Sequence, residues 1–422
     1  MAEQNDPALT TAGFAALMAP YASYARMAIG VSGGADSMAL LALLTRWAEP
    51  KNCEIVALSV DHGLRAEAAD EAATVAAWCA EHNVPHTTLI WHHDGDGPDA
   101  NIQAKARQAR YGLMGAWCAA HGVPALAVAH HADDRAETLL MRLKRGSGVD
   151  GLATMAAEAA WPVSLAGAPR LLRPVLSVSQ QALAGFARAA GLPIVHDPSN
   201  LDEKFDRVQA RMAIEQLGID IGRLNRTADL MQQEKQVLDW AAQQALGQAA
   251  KVSPHGFVEI DIVDFKALPI GVGLRLLRYV MNLMIAPDYP SRRLAVERLH
   301  QAVVAGESCV LAGLKFCGGS GKLYVVPERL PDDLPISSRL TDWDSRFAFS
   351  CSQRGWRVSA RGNLAASALG EAAAARLVTL PASVRASVPV ATAPDGTLHL
   401  PTFGDAAGQL QLHNHVFQRQ RH

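Results

Sequence analysis

None of the six cysteines, Cys53, Cys79, Cys118, Cys309, Cys317 and Cys351, stands in a CxxC pair. That absence argues against a zinc ribbon, an iron–sulfur cluster and a dithiol redox centre. Unpaired cysteines suit the reducing cytoplasm, which is the expected location. No apolar run approaches the ~18 uncharged residues of a membrane span. Met1–Pro7 carries Glu3 and Asp6 and no basic residue, unlike the start of a secretory signal. An excess of one charge is also missing. Lys plus Arg number 39 and Asp plus Glu 41, so a nucleic-acid site would have to be a local basic patch. What is present is an ordinary globular composition, 49% hydrophobic and 19% charged over 422 residues, enough for two or three domains.

The stretch Met27–Leu44, MAIGVSGGADSMALLALL, organises the chain. Met27–Val31 reads as a buried strand, Ser32–Ser37 as a glycine turn and Met38–Leu44 as a helix. Strand, glycine turn and helix in that order leave bare backbone N–H groups at a helix N-terminus, where an anion binds. Gly33 and Gly34 remove the Cβ atoms that would hold a phosphate away, and they tolerate positive φ. Ser32 and Ser37 add hydroxyls, and Ala35 completes the cradle. Asp36 is the odd member, because a carboxylate among phosphate donors repels the ligand unless a cation bridges them. Mg²⁺ is the expected cation. The turn lacks the Lys-Ser/Thr of a Walker loop and the spacing of a dinucleotide fingerprint. A plain capped βα turn is the alternative reading of the hexapeptide alone.

Strand-like runs follow at Glu54–Val60, Thr87–Trp91 and Ala125–Ala129. Helical stretches lie at Ala66–Glu81, at Asn101–Ala120 with Arg107, Arg110 and Tyr111, and at Ala132–Lys144. Asp6–Tyr24 reads as a short amphipathic helix leading in, and Asp94–Asp99 as a Gly/Asp loop. The alternation implies an α/β fold with a doubly wound parallel sheet, Rossmann-like, whose ligands sit at the carboxyl ends of the strands. Residues 1–215 are expected to form that domain, 216–330 a mostly helical second domain turning β-like near Cys309–Val326, and 336–422 a small α+β domain. Pro331–Pro335 reads as the linker.

The second chemistry-bearing block is Ala129–Thr138, AHHADDRAET. Asp133 and Glu137 share one helical face, as do Asp134 and Thr138. Acids in a first helical turn are favoured by the macrodipole whatever their use, yet two histidines with three carboxylates at a strand end suggest a ligand. A zinc site is the other reading of such a cluster, but the HExxH spacing is absent.

SGGADS, Asp61–Arg65 (DHGLR), Ala129–Thr138 and Arg145–Leu152 (RGSGVDGL), in this order, resemble the tRNA(Ile)-lysidine synthetases, which are N-type ATP pyrophosphatases of the PP-loop superfamily. Asp197–Asp202 with Phe205 and Arg207 extends the resemblance, as does Leu380–Pro401 toward the carboxyl end. Arg135 stands where the family usually has Gln, and Val208 where it has Asn. The resemblance implies a ligase that uses ATP and Mg²⁺ to join free lysine to the wobble cytidine of the isoleucine tRNA with a CAU anticodon. It further implies an adenylated intermediate, AMP and pyrophosphate as products, and no membrane; a homodimer stays open. Ser32–Ser37 would cradle pyrophosphate, and Asp36 and Asp134 would hold the metal. His130 would stabilise the α-phosphate, Glu137 or Asp36 would take the amine proton, and Arg110 and Arg207 would contact phosphate or base. For tRNA, basic candidates are Arg142, Lys144, Arg145, Lys204, Arg207, Arg211, Arg223 and Arg226, then Arg275, Arg278, Arg292, Arg293 and Arg298. A tRNA thiolase on the same loop, an ammonia-dependent synthetase and a non-catalytic RNA-binding module are the competing readings.

Overall fold

The computed structural model describes residues 6–63, 67–92, 102–163, 165–195, 206–285, 291–319, 321–362, 364–405 and 410–416. By its contacts the chain divides into two compact units, Met1–Lys235 and Gln236–His422. Among the described residues no helix is long and apolar enough to cross a membrane.

In the first unit the elements run α1 (Thr11–Leu17), β1 (Arg26–Gly30), α2 (Ala35–Ala48), β2 (Glu54–Asp61), α3 (Glu67–Glu81), β3 (His86–Ile90), α4 (Ile102–Ala120), β4 (Ala125–Ala127), α5 (Ala132–Lys144), α6 (Val149–Leu152), β5 (Glu158–Ala159), β6 (Arg170–Leu172), α7 (Gln180–Ala189), α8 (Asp206–Gln216) and α9 (Ile221–Ala249). The last of these continues into the second unit. The lead-in expected as one helix is broken into 3₁₀ turns at Pro7–Leu9 and Ala19–Tyr21 around α1. Pro7 and Pro20 each sit in the opening positions of a turn, where the missing N–H costs nothing, and Thr10 caps α1 by accepting from Gly13 N.

The sheet has the order β3-β2-β1-β4-β6-β5. All neighbours are parallel except β5, which runs antiparallel to β6. Met27, Ala28 and Ile29 of β1 and all of β4 are buried on both faces, as central parallel strands require. Helices α2, α3 and α7 cover one face, where Leu40, Leu44, Trp78 and Leu183 join the core. Helix α4 covers the other with Tyr111, Met114 and Cys118. The winding goes outward from β1 through β2 to β3, then reverses through β4 to β6. The reversal lies between β1 and β4, and in sheets of this kind the ligand crevice lies beyond the carboxyl ends of the strands at that point. The turns carrying Ser32–Ser37 and Ala129–Asp134 leave those two strands.

The second unit begins on the carboxyl half of α9. It adds β7 (Ala250–Val252), β8 (Val258–Asp261), α10 (Ile262–Ala267), α11 (Ile270–Ile285), α12 (Arg293–Ala305), β9 (Cys309–Leu311), β10 (Leu314–Gly319) and β11 (Lys322–Pro327). The strands form an antiparallel sheet, β7-β8-β11-β10-β9. Phe265, Leu276, Val280 and Phe316 fill the core between it and the helices. The remainder holds β12 (Leu334–Pro335), β13 (Thr341–Asp342), β14 (Phe347–Ser350), β15 (Arg357–Ala360), α13 (Glu371–Val378), α14 (Ala382–Arg385), β16 (Pro389–Thr392), β17 (Leu398–His399) and β18 (Gln411–Asn414). Here Pro331–Pro335 ends in a strand: Leu334 and Pro335 pair with Val358 and Arg357. Arg346, only 1% exposed, ties this remainder to the sheet that precedes it. Its guanidinium donates to Gly256 O at 3.0 Å and Ser387 O at 2.9 Å and pairs with Asp344 at 2.8 Å.

Gly33 is the residue the first crevice turn depends on. Its φ is +83°, and a Cβ there would lie 2.9 Å from Val195 Cγ2. Val195 N also donates to Gly33 O at 2.9 Å, so the neighbour cannot simply withdraw. Gly33→Ala should therefore cost about 1–2 kcal/mol from the left-handed backbone alone, and more from the clash. Chemical denaturation of G33A and of G33A/V195A would check this: the second change should recover the clash and leave the backbone part.

Candidate functional site

The first wall of the crevice is built from backbone. Ser37 Oγ donates to Gly34 O at 2.9 Å, accepts from Ser32 N at 3.2 Å and lies 3.3 Å from Ser32 Oγ. The two hydroxyls thus knit the turn as well as face a ligand. Gly34 caps α2 with no side-chain hydrogen bond, so the opening N–H groups of the helix are left for an incoming anion. Asp36 lies in that first turn, and its Oδ1 is buried with no partner among the described residues.

The second wall starts where β4 ends. His131 stands at the N-cap of α5, with its own N donating to Asp134 Oδ2 at 3.2 Å and its Nδ1 3.3 Å from Asp134 N. Its Nε2 lies 3.6 Å from Asp36 Oδ2 and 3.4 Å from Asp134 Oδ2, and its Nδ1 lies 3.6 Å from Asp133 Oδ2. Burial opposes charge on this ring, but the contacts to Asp133, Asp36 and Asp134 outweigh it and push the imidazole up to about 10. The two roles of Nδ1 exclude each other, since a nitrogen accepting from Asp134 N has no proton for Asp133. The 3.3 Å capping contact is long for a hydrogen bond, and three carboxylates around one buried ring decide for the imidazolium. Asp133 is anchored in turn by Gln180 N at 2.8 Å. Despite the burial that opposes its charge, the His131 contact and this amide lower its carboxyl below the usual range.

His130 faces different company. Its Nδ1 accepts from Arg173 Nε at 3.0 Å. Burial and then the charges of Arg173, Arg107, Arg207 and Arg110 hold it well below the ordinary histidine value, so it is neutral. Arg110 and Arg107 lie over the Tyr111 ring at 5.5 and 5.0 Å. Burial lowers Arg110, and Arg107 and Arg207 add to that. Arg207 reaches Asp134 Oδ1 at 3.3 Å. Glu137, 2% exposed, accepts from Arg211 Nε at 2.9 Å, and its other oxygen is buried without a partner among the described residues. Burial raises its carboxyl, against the opposing pull of Arg211.

The structure therefore brings Asp36, Asp134 and Arg207 into one connected set through the ring of His131. It places His130 and Arg110 in an arginine group and Glu137 on the same helix as Asp134. Among the described residues no three His, Cys, Asp or Glu side chains converge as a ready metal site. Both Asp134 oxygens are already engaged, whereas the orphaned Asp36 Oδ1 fits a cation. Mg²⁺ held by phosphates and water needs only one or two carboxylates, so this donor set accommodates it. Asp61 closes its own turn by accepting from Gly63 N at 2.8 Å, and His62 packs against Trp91 at 5.9 Å. Leu64, Arg65, Asp94–Asp99, Asp197–Asp202, Lys204 and Phe205 lie outside the described residues. Several expected phosphate contacts have partners inside the protein. Arg142 bonds Gly151 O at 2.7 Å, Arg145 pairs with Asp206, and Arg275 and Arg293 pair with Asp239 and Glu297. Lys144, Arg223 and Arg226 are exposed. Arg135, where the family has Gln, is buried and reaches Asp229 at 2.7 Å and Thr154 O at 3.3 Å. Nothing among the described residues explains Val208, the other departure.

Residues 9–217 match the family model of the PP-loop domain. A tRNA(Ile)-lysidine synthase from Ruegeria pomeroyi is 40% identical over 325 residues, covering 76% of each chain. The chain belongs to the tRNA(Ile)-lysidine synthase family. A family member from Zymomonas mobilis is 36% identical over 307 residues, covering 72% of this chain and 89% of its own. Among solved structures, the U34-tRNA thiolase NcsA from Methanococcus maripaludis, with its 4Fe-4S cluster, overlays 55% of this chain and 80% of its own at 15% identity and a TM-score of 0.46. That likeness is too slight to carry a functional argument.

Sequence reasoning did not single out His131, Arg173 or the Glu137–Arg211 pair. For Arg173 a signal existed: an arginine inside the apolar run LLRPVL, at the end of a strand of this sheet.

Two measurements check the site. His131 is raised in the folded state, so its contribution to stability is complete below about pH 6.5 and is lost as pH rises toward about 10. Urea melts across that window should show wild type losing stability relative to His131→Gln, and parallel curves would refute the charged ring. Arg211→Ala should cost about 1–3 kcal/mol by leaving a buried carboxylate unpaired, and adding Glu137→Gln should recover part of it.

Proposed function

We propose that this chain joins free lysine to C2 of the wobble cytidine in the isoleucine tRNA with a CAU anticodon, with ATP activating the base. The observation that carries this is the His131 ring, 3.6 Å from Asp36 Oδ2 and 3.4 Å from Asp134 Oδ2. It joins the phosphate turn to the acid-bearing first turn of α5. Family membership supplies the substrate class.

In the first step cytosine O2 forms a bond to the α-phosphorus, the α–β bridging P–O bond breaks and pyrophosphate leaves. The N–H groups of Gly33–Ser37 and the Ser32 and Ser37 hydroxyls hold the departing phosphates, while Arg110 and Arg207 balance charge beside the α-phosphate. Mg²⁺ held at Asp36, with Asp134 behind it, would offset the negative charge of the phosphates. In the second step the lysine ε-amine bonds to C2, the C2–O bond breaks and AMP departs with that oxygen. The reference pKa of the ammonium is ~10.4, so it must first lose a proton. Glu137 is suited to accept it, because burial raises its affinity for protons. Asp36 is the other candidate carboxylate for this proton, but its free Oδ1 is the oxygen given to the cation, which leaves the proton to Glu137. Positioning supplies most of the remaining rate, since three substrates must meet.

An anticodon loop already exposes its bases, so reading one cytosine costs little unpairing. Residues 1–215 are assigned the chemistry, and 216–330 with 336–422 the grip on the rest of the tRNA, in the cytoplasm. Thiolation is the weaker reading here: burial pushes the thiols of Cys79 to about 11 and Cys118 to about 12, far from thiolate chemistry.

The test is transfer of radiolabelled lysine to unmodified CAU isoleucine tRNA with ATP. Wild type should label that tRNA and no other. Asp36→Ala should lose ATP–pyrophosphate exchange by at least about 10²-fold while the protein stays folded. Sulfur entering the tRNA instead of lysine, or near-normal exchange by D36A, would overturn the assignment.

A further inference from the structure

We propose that Arg173 is a positioning residue that fixes His130 as a neutral ring with its single proton on Nε2, a standing hydrogen-bond donor to the phosphate of the bound nucleotide. The hydrogen bond that carries this has only one polarity. A guanidinium has five N–H donors, no acceptor, and does not deprotonate in proteins. Arg173 Nε stands 3.0 Å from His130 Nδ1, so that ring nitrogen must be bare. A neutral imidazole with a bare Nδ1 carries its proton on Nε2.

The arginine cannot turn away easily. It is only 8% exposed, and its Nη1 donates to Ala156 O at 2.8 Å while its backbone N bonds Ala157 O at 2.7 Å. The sheet sets its place. Ala127 of β4 is in register with Leu172 of β6, and Val128 N continues the ladder to Leu172 O at 2.9 Å. The residue after β6 therefore lies beside the stretch that leads from β4 to His130. The charged groups acting on the ring come from every side: Arg107 and Arg110 of α4, Arg207 of α8 and Arg173 itself. The acids of the site, Asp36, Asp133 and Asp134, surround His131 instead. A second proton on His130 would face an N–H donor on Nδ1 and add a fifth cation to four guanidiniums. Among the described residues Nε2 has no protein partner, which leaves its proton for a ligand.

The identity of that ligand rests on the lysidine reading: the α-phosphate of ATP, then the phosphate of the adenylated cytidine. Negative charge grows on those oxygens in both steps, and a fixed neutral donor stabilises it without giving up its proton. His130 then acts by donation rather than as a general acid, and exchange should not follow a histidine titration.

Nitrogen-15 NMR of histidine-labelled full-length protein tests this, with the His130 signals identified by their loss in His130→Asn. Wild type should show a protonated Nε2 and a bare Nδ1, unchanged from about pH 5 to 8. Arg173→Met should give mixed tautomers that titrate, a new acid limb in the pH profile of ATP–pyrophosphate exchange, and a fall in its rate of about 10- to 100-fold, less than the ~10²–10³ for loss of a whole donor. Arg173→Lys keeps one donor and should restore the wild-type tautomer and most of the rate. A wild-type His130 that titrates in this window, or carries its proton on Nδ1, overturns the proposal, and so does an R173M with unchanged tautomer and exchange. The wild-type spectrum decides even if R173M fails to fold. If the wild-type tautomer is as stated but no lysine enters tRNA, the functional reading falls and the Arg173–His130 assignment stands.

Discussion

The charged ring of His131 is the constraint on which the site depends. Asp36 comes from the turn after β1, and Asp133 and Asp134 open the helix after β4. Three carboxylates this close to a phosphate-binding turn would repel both one another and any nucleotide. A single imidazolium among them, 3.4–3.6 Å from each, removes most of that cost and links the two turns. It can do so because β1 and β4 are neighbours at the point where the sheet order reverses. Asp36 Oδ1 stays outside this arrangement, a buried oxygen ready for a cation.

Adjacent in sequence, the two histidines take opposite states. His131 is held as a cation by acids, and His130 is held neutral by burial and by arginines. The site is thereby divided into two electrostatic regions. One is rich in guanidinium and suits phosphate; the other is rich in carboxylate and suits an ammonium. Glu137 belongs to the second and is kept buried with one oxygen unpaired beside Arg211. An enzyme that must hold a polyphosphate and an amine together needs such a separation, or each would neutralise the residues meant for the other.

Much of the basic surface expected for RNA has structural duties. Arg145 joins α5 to α8 through Asp206, and Arg135 joins α5 to Asp229 on α9. The Arg135 departure thus reads as an ion pair that braces the acid-bearing helix rather than as an altered substrate contact. The same holds in the second unit, where Arg275 pairs with Asp239 and Arg293 with Glu297.

The amino-acid order by itself determined the parallel sheet, the glycine turn at Ser32–Ser37 and the helix Ala132–Lys144, whose limits match the structure residue for residue. These features rest on backbone rules that act over a few residues: burial pattern, glycine conformation and capping. Tertiary structure alone decided which histidine meets Asp36, that Arg173 bonds His130 from 43 residues away, and that Val195 closes on Gly33. It also decided that Leu334 and Pro335, expected in a linker, pair as a strand. The physical reason is the same in each case. A side chain's protonation and a strand's partner are set by groups that only the folded chain brings within a few ångströms, and no local spacing records which groups those will be.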